Sequence, residues 1–107
     1  MGIYRITNLV NGKIYIGGSR SLQAIFNRVK FQLKNGLHVN KELQKDYLQW
    51  GEEKFSFEVA DYLEPRAEPD YDYTEDLRAL EEMWLEKLEP YGEKGYNQRK
   101  AIAAQPR

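Results

Sequence analysis

The stretch Gly2-Ile3-Tyr4-Arg5-Ile6-Thr7-Asn8-Leu9-Val10-Asn11-Gly12-Lys13-Ile14-Tyr15-Ile16-Gly17 decides the fold. Residues 2–8 roughly alternate apolar and polar side chains, the period of a half-buried strand. Asn11-Gly12 then supplies the pair best suited to a tight hairpin turn, which needs positive φ. Residues 13–17 read as the return strand, and Gly17-Gly18-Ser19 is expected to break it. A hairpin of this register puts Tyr4 and Tyr15 on paired neighbouring strands, where they can face the same way.

Working outward, residues 21–35 predict a helix. Ser21 can cap its start. Leu22, Ile25, Phe26, Val29 and Leu33 fall on one stripe at helical spacing, and Asn35-Gly36 is a fitting stop. A loop carrying His38 follows. Asn40 can cap a second helix over 41–50, with Leu43, Tyr47 and Leu48 inward and Gly51 after it. Residues 54–63 predict a third strand with Phe55, Phe57 and Val59 on one face. Residues 64–73 hold two prolines and four acids, so they are expected to be a loop and the least ordered interior segment. Thr74 is placed as cap of a third helix, 75–89, ended by Pro90, and Gly95-Tyr96-Asn97 as a short closing segment. The order strand, strand, helix, helix, strand, helix predicts an α+β domain: a small, mainly antiparallel three-stranded sheet flanked by helices.

The chain has 107 residues, enough for one core and no second domain of useful size. The expected division is one domain over 1–100 and a tail over 101–107. Without cysteine there are no disulfides and no thiolate metal sites. No apolar run approaches a bilayer-spanning length, and the first residues read as a strand rather than a signal peptide. A cytoplasmic location is the expectation. The net charge of −1 argues against a nucleic-acid partner, but it is unevenly spread. Residues 1–50 carry eight bases against two acids, and residues 51–107 eight bases against fifteen acids. A basic first half can attract phosphate, although charge also varies along any chain.

Four residues carry candidate chemistry. The third helix has an apolar stripe of Leu77, Leu80, Trp84 and Leu88, and Glu81 falls on it. A carboxylate on a buried face must be paired, hydrogen-bonded or on a metal. The alternative is a stripe-edge glutamate bending to solvent or to a lysine, and periodicity alone leans that way. Tyr4 and Tyr15 are good strand residues, and composition alone favours a core role for both. His38 sits on a loop where functional groups often lie, yet a lone loop histidine is more often merely exposed. There is no phosphate-binding Gly-rich loop, no paired histidine for zinc and no nucleophile elbow.

Together these pieces resemble the GIY-YIG nuclease family. Gly2-Ile3-Tyr4 matches the first motif and Tyr15-Ile16-Gly17 the second, separated by residues 5–14 with their Asn-Gly turn. Gly36-Leu37-His38-Val39-Asn40 resembles the family's G-x-H-x-N stretch, Glu81 with Trp84 its glutamate helix, and Gly95-Tyr96-Asn97 its closing motif. The resemblance spans residues 2–98. It implies an endonuclease that hydrolyses a DNA phosphodiester with one divalent metal, Mg2+ or Mn2+, of the kind found in phages and mobile elements. It assigns Glu81 as metal ligand, Tyr4 as general base, Tyr15 as positioning phenol, His38 as proton-transfer or phosphate-orienting group, and Asn97 as a hydrogen-bonding member of the site.

The chain departs from the family on the first helix. Ten residues after Tyr15 the family carries an arginine that contacts the scissile phosphate, and here the position is Ile25. The histidine that often follows four residues later is replaced by Val29. Three readings stay open: Arg28 or Arg20 has taken over the cationic role, catalysis has been lost while binding is kept, or the sequence was altered deliberately. In the second reading Ile25 and Val29 belong to an exposed apolar patch covered by a partner. DNA is the expected partner. Specificity is expected to be low, or supplied by a homodimer or partner protein.

Overall fold

The computed structural model describes residues 1–98. The expected tail at 101–107 lies outside the described residues, as do the last two residues of the expected domain. The elements are β1 (Gly2–Asn8), β2 (Ile14–Ser19), α1 (Leu22–Lys34), α2 (Lys41–Trp50), a 3-10 turn (Glu52–Lys54), β3 (Phe55–Tyr62) and α3 (Thr74–Leu88). The strands form one antiparallel sheet in the order β2-β1-β3, as the sequence predicts.

Register explains the division of faces. Tyr4 pairs with Gly17 and Val59, and Ile6 with Tyr15 and Phe57, so all six lie on one face. Here Tyr4 and Ile6 join Val29 and Leu33 of α1, Leu43 and Tyr47 of α2, Phe55 and Tyr96 in one core. Helix α3 lies on the opposite face, where Leu77 and Ile3 meet above Gly18. A bulge in β3 between the partners of Ile3 and Tyr4 adds twist beside the tyrosine.

Strand β2 runs on through Gly17 and Gly18 to Ser19 instead of breaking at the glycines. Both continue the ladder, opposite Tyr4 and Ile3. They are glycines because both faces of β2 are covered there: a Cβ at Gly17 would lie 2.5 Å from the Tyr4 hydroxyl oxygen.

Caps follow the sequence on α1 and α2. Ser21 Oγ accepts from Ala24 N–H at 3.3 Å, and Asn40 Oδ1 from Leu43 N–H at 2.9 Å. Leu48 is 64% exposed rather than inward. Gln44 and Asp46 occupy the inner side of α2, because buried polar groups wait for them. Gln44 Nε2 donates to the Leu33 carbonyl, and Asp46 accepts from the Tyr96 hydroxyl at 2.7 Å. Thr74 is the first residue of α3 rather than its cap, and Asp72 accepts from its N–H at 3.0 Å.

Residues 64–73 hold no strand or helix and are tied by their own side chains. Arg66 stacks over Tyr71, whose hydroxyl donates to Asp76. The closing segment adds a parallel bridge from Gly95 to Ile14 and sinks Tyr96 into the core. Among the described residues no helix is long and apolar enough to cross a membrane.

Candidate active site

The site grows from the hairpin. The Tyr4 ring is buried and extends over Gly17, so its hydroxyl arrives at the β2 side of the sheet. Tyr15, two residues before that glycine, meets it with ring centroids 6.3 Å apart and planes tilted by 46°. The two phenols are close enough to influence each other's titration. Burial is the main cause that pushes the Tyr4 hydroxyl well above its usual pKa of 10.0. Charge on Tyr15 and Glu81 adds to this, and the Arg28 guanidinium opposes it. Tyr15 is raised by burial and then by Glu81, and eased by the neighbouring Tyr4 hydroxyl. Both are neutral phenols at pH 7.

Glu81 approaches from α3 on the far side of the glycine stretch. Its Oε1 lies 3.2 Å from where a Cβ of Gly18 would stand. Gly17 and Gly18 thus form a seam with no side chains of its own: Tyr4 covers it from one face, and Glu81, with Leu77 and Ile3, from the other. Glu81 is half-buried, and its charge is felt by both phenols. One turn on, Trp84 Nε1–H donates to Asp61 Oδ2 at 2.9 Å, which fixes the rotation of α3 against β3.

His38 is 3% exposed, not a surface loop residue. Its ring meets Tyr15 edge-on at 5.6 Å. Its Nδ1 accepts from Asn40 N–H at 3.0 Å, which assigns the proton to Nε2. Burial lowers its pKa below 6.5, so the imidazole is neutral.

Asn97 does not aim its amide at the phenols. Its Oδ1 accepts from Ile16 N–H and its Nδ2 donates to the Ile16 carbonyl, both at 2.8 Å. The side chain thus stands in for another strand along the open edge of β2, between Tyr15 and Gly17. Tyr15, Val39, Asn40, Asn97 and Gln98 line an open cleft of about 380 Å³ beside it.

The cations divide. Arg28 is exposed on α1, and its charge reaches Tyr4. Arg20 turns to Asp72 at 3.4 Å and to Thr74 Oγ1 at 2.5 Å, holding the start of α3. Val29 is 2% exposed within the core, and Ile25 is half-buried against it. The expected exposed apolar patch at these two positions is therefore absent. Their side chains are spent on packing α1 to the sheet.

Among the described residues no three acidic or histidine side chains gather as metal ligands. A site with one protein carboxylate still fits a hard divalent cation, which keeps several waters. The half-buried Glu81 carboxylate, packed over Gly18 beside Leu77 and Ile3, is the oxygen donor available to such an ion. Periodicity could not have found this glycine seam. A signal existed in the adjacent Gly17-Gly18 pair within a strand, which marks close approach of another group.

No protein-family model and no curated protein matches the sequence. Solved structures do match. The catalytic domain of the homing endonuclease I-TevI superposes with a TM-score of 0.73 at 24% identity, over 90% of this chain and 95% of that one. A point mutant of the same domain, described as that of an intron endonuclease, gives 0.74 at 23% identity over 90% of each chain. The chain has the GIY-YIG fold. In this GIY-YIG fold the two name-giving motifs lie on the paired strands β1 and β2 and meet where Tyr4 pairs with Gly17, the glycine of the second motif and the floor beneath the Tyr4 ring.

Proposed function

We propose that this chain is a metal-dependent DNA endonuclease domain acting on phosphodiester bonds. The observation that carries the reading is the approach of Tyr4 and Glu81 to adjacent glycines of β2 from opposite faces, near enough for the Glu81 charge to act on both Tyr4 and Tyr15, on a fold shared with a homing endonuclease catalytic domain. Glu81 would hold Mg2+ or Mn2+ through one carboxylate, and such an ion supplies charge neutralisation at the phosphate and leaving oxygen. Tyr15 positions the phosphate in the cleft it lines. Tyr4 is the candidate base for water. Its pKa is raised first by burial and then by Tyr15 and Glu81, which keeps the phenol protonated; a cation held at Glu81 would remove the last of these, and Arg28 acts in the same direction. His38, neutral and proton-bearing at Nε2, supports Tyr15 from its edge. Asn97 positions the strand that carries Tyr15.

The test is nicking of plasmid DNA by purified protein in magnesium, compared with Glu81→Ala. The wild-type chain should nick and the variant should lose on the order of 100-fold or more in rate. Equal nicking by both would mean a contaminating activity.

A second reading, a catalytically silent binding module on the same surface, is favoured by one observation: the family's arginine and histidine positions hold aliphatic side chains packed on the core. DNA binding without cleavage in magnesium or manganese would support it.

A further inference from the structure

The loop between α1 and α2 is patterned inside out. His38 and Asn40 are buried, while Leu37 and Val39 are 61% and 79% exposed. The polar side faces inward because its atoms are committed there. His38 N–H donates to Gln44 Oε1, Asn40 N–H donates to His38 Nδ1, and Asn40 Nδ2 donates to the Tyr96 carbonyl. Rolling the loop to cover its aliphatics would break these buried hydrogen bonds. Leu37 and Val39 are therefore held out in water by design of the fold. Val39 also lines the cleft that Tyr15 lines. Exposed Lys34 and Lys41 stand on either side of the loop, at the end of α1 and the start of α2.

Rigid aliphatic side chains between two cations match duplex DNA better than a protein partner. Lysines meet phosphates, and apolar side chains enter between bases. We propose that Leu37 and Val39 form a wedge that enters the base stack beside the phosphate seated at Tyr15 and unstacks one base step. The inference rests on the reading that DNA occupies this cleft. Unstacking is easiest at pyrimidine–purine steps, so the wedge would give this domain a preference for where it engages.

Permanganate oxidises thymines whose faces are exposed, so it reads unstacking without any cleavage. The full chain is mixed with a short mixed-sequence duplex at saturating protein, in calcium. Thymine reactivity should rise about threefold or more over free DNA if a step is opened. The Leu37→Ser, Val39→Ser double variant, compared at saturation and with its thermal midpoint checked, should lose the excess. A wild-type complex with no excess reactivity, or a variant with the wild-type pattern, would overturn the wedge. Opened but uncut DNA in magnesium would count against the nuclease reading alone. Failure of the wild-type chain to bind DNA would remove both.

Discussion

A hydroxyl resting on a glycine leaves no slack, and Gly17 is where that matters. Its missing Cβ is what lets Tyr4 reach the β2 side of the sheet, since a methyl there would sit 2.5 Å from the phenol oxygen. Gly17→Ala should force the ring or the strand aside, costing about 1–3 kcal/mol of stability by overpacking. It should also reduce cleavage more than that loss of stability explains. Urea denaturation and single-turnover cleavage, measured on the same preparation, separate the two. Ile25 poses the opposite question. It is half-buried rather than sealed in, so a longer side chain can leave along the α1 surface. Ile25→Arg should raise cleavage of DNA by roughly tenfold or more if the phosphate lacks a cation, and should leave it unchanged if Arg28 already serves. Val29 admits no such test, since at 2% exposure a histidine there would bury an imidazole in an apolar core.

Elements show which parts of this arrangement were legible beforehand. The hairpin, both capped helices and the sheet face of Phe57 and Val59 follow from period and turn chemistry, because those signals are local. The inner face of α2 does not. Leu48 loses its inward place to Asp46 because the Tyr96 hydroxyl, fifty residues away in sequence, must donate somewhere. Asn97 was legible as a motif residue but not as a clamp on Ile16, since nothing local says which edge of β2 lies open. The buried His38 belongs to the same class: its neighbours Gln44 and Asn40 are near in sequence, yet only the packed loop shows that they hold it. Its depressed pKa has a consequence for the loop. The unfolded imidazole takes up a proton near pH 6.5 and the folded one resists, so protons favour the unfolded chain and stability falls as pH drops below that value. His38→Asn keeps a hydrogen-bond acceptor without titrating. Urea midpoints at pH 7 and pH 5 should therefore fall less for the variant, the difference being at most ~1.4 kcal/mol per pH unit.

At the scale of the whole molecule the decisive quantity is where charge is carried, not how much. A net charge of −1 conceals a first half with eight bases against two acids. That half builds the hairpin, α1, the His38 loop and α2, and it supplies Tyr15, Val39 and Asn40 to the cleft. Several of its cations are already neutralised within the fold: Arg5 by Glu58, Lys13 by Glu42 and Arg20 by Asp72. Arg28, Lys34, Lys41 and Lys45 are exposed, and they are the cations expected to meet phosphate. Four phosphate contacts predict a logarithmic salt slope near about −3.6, so affinity for duplex DNA should fall ~100-fold between ~50 and ~200 mM salt. Fluorescence anisotropy with a labelled duplex measures this directly. Removing Lys34 and Lys41 together should lower the slope by about 1.8, whereas Arg5→Ala, which removes a charge already paired with Glu58, should leave it unchanged. A flat slope in the wild-type chain would mean that the basic half is ordinary solvated surface and that DNA is not its partner.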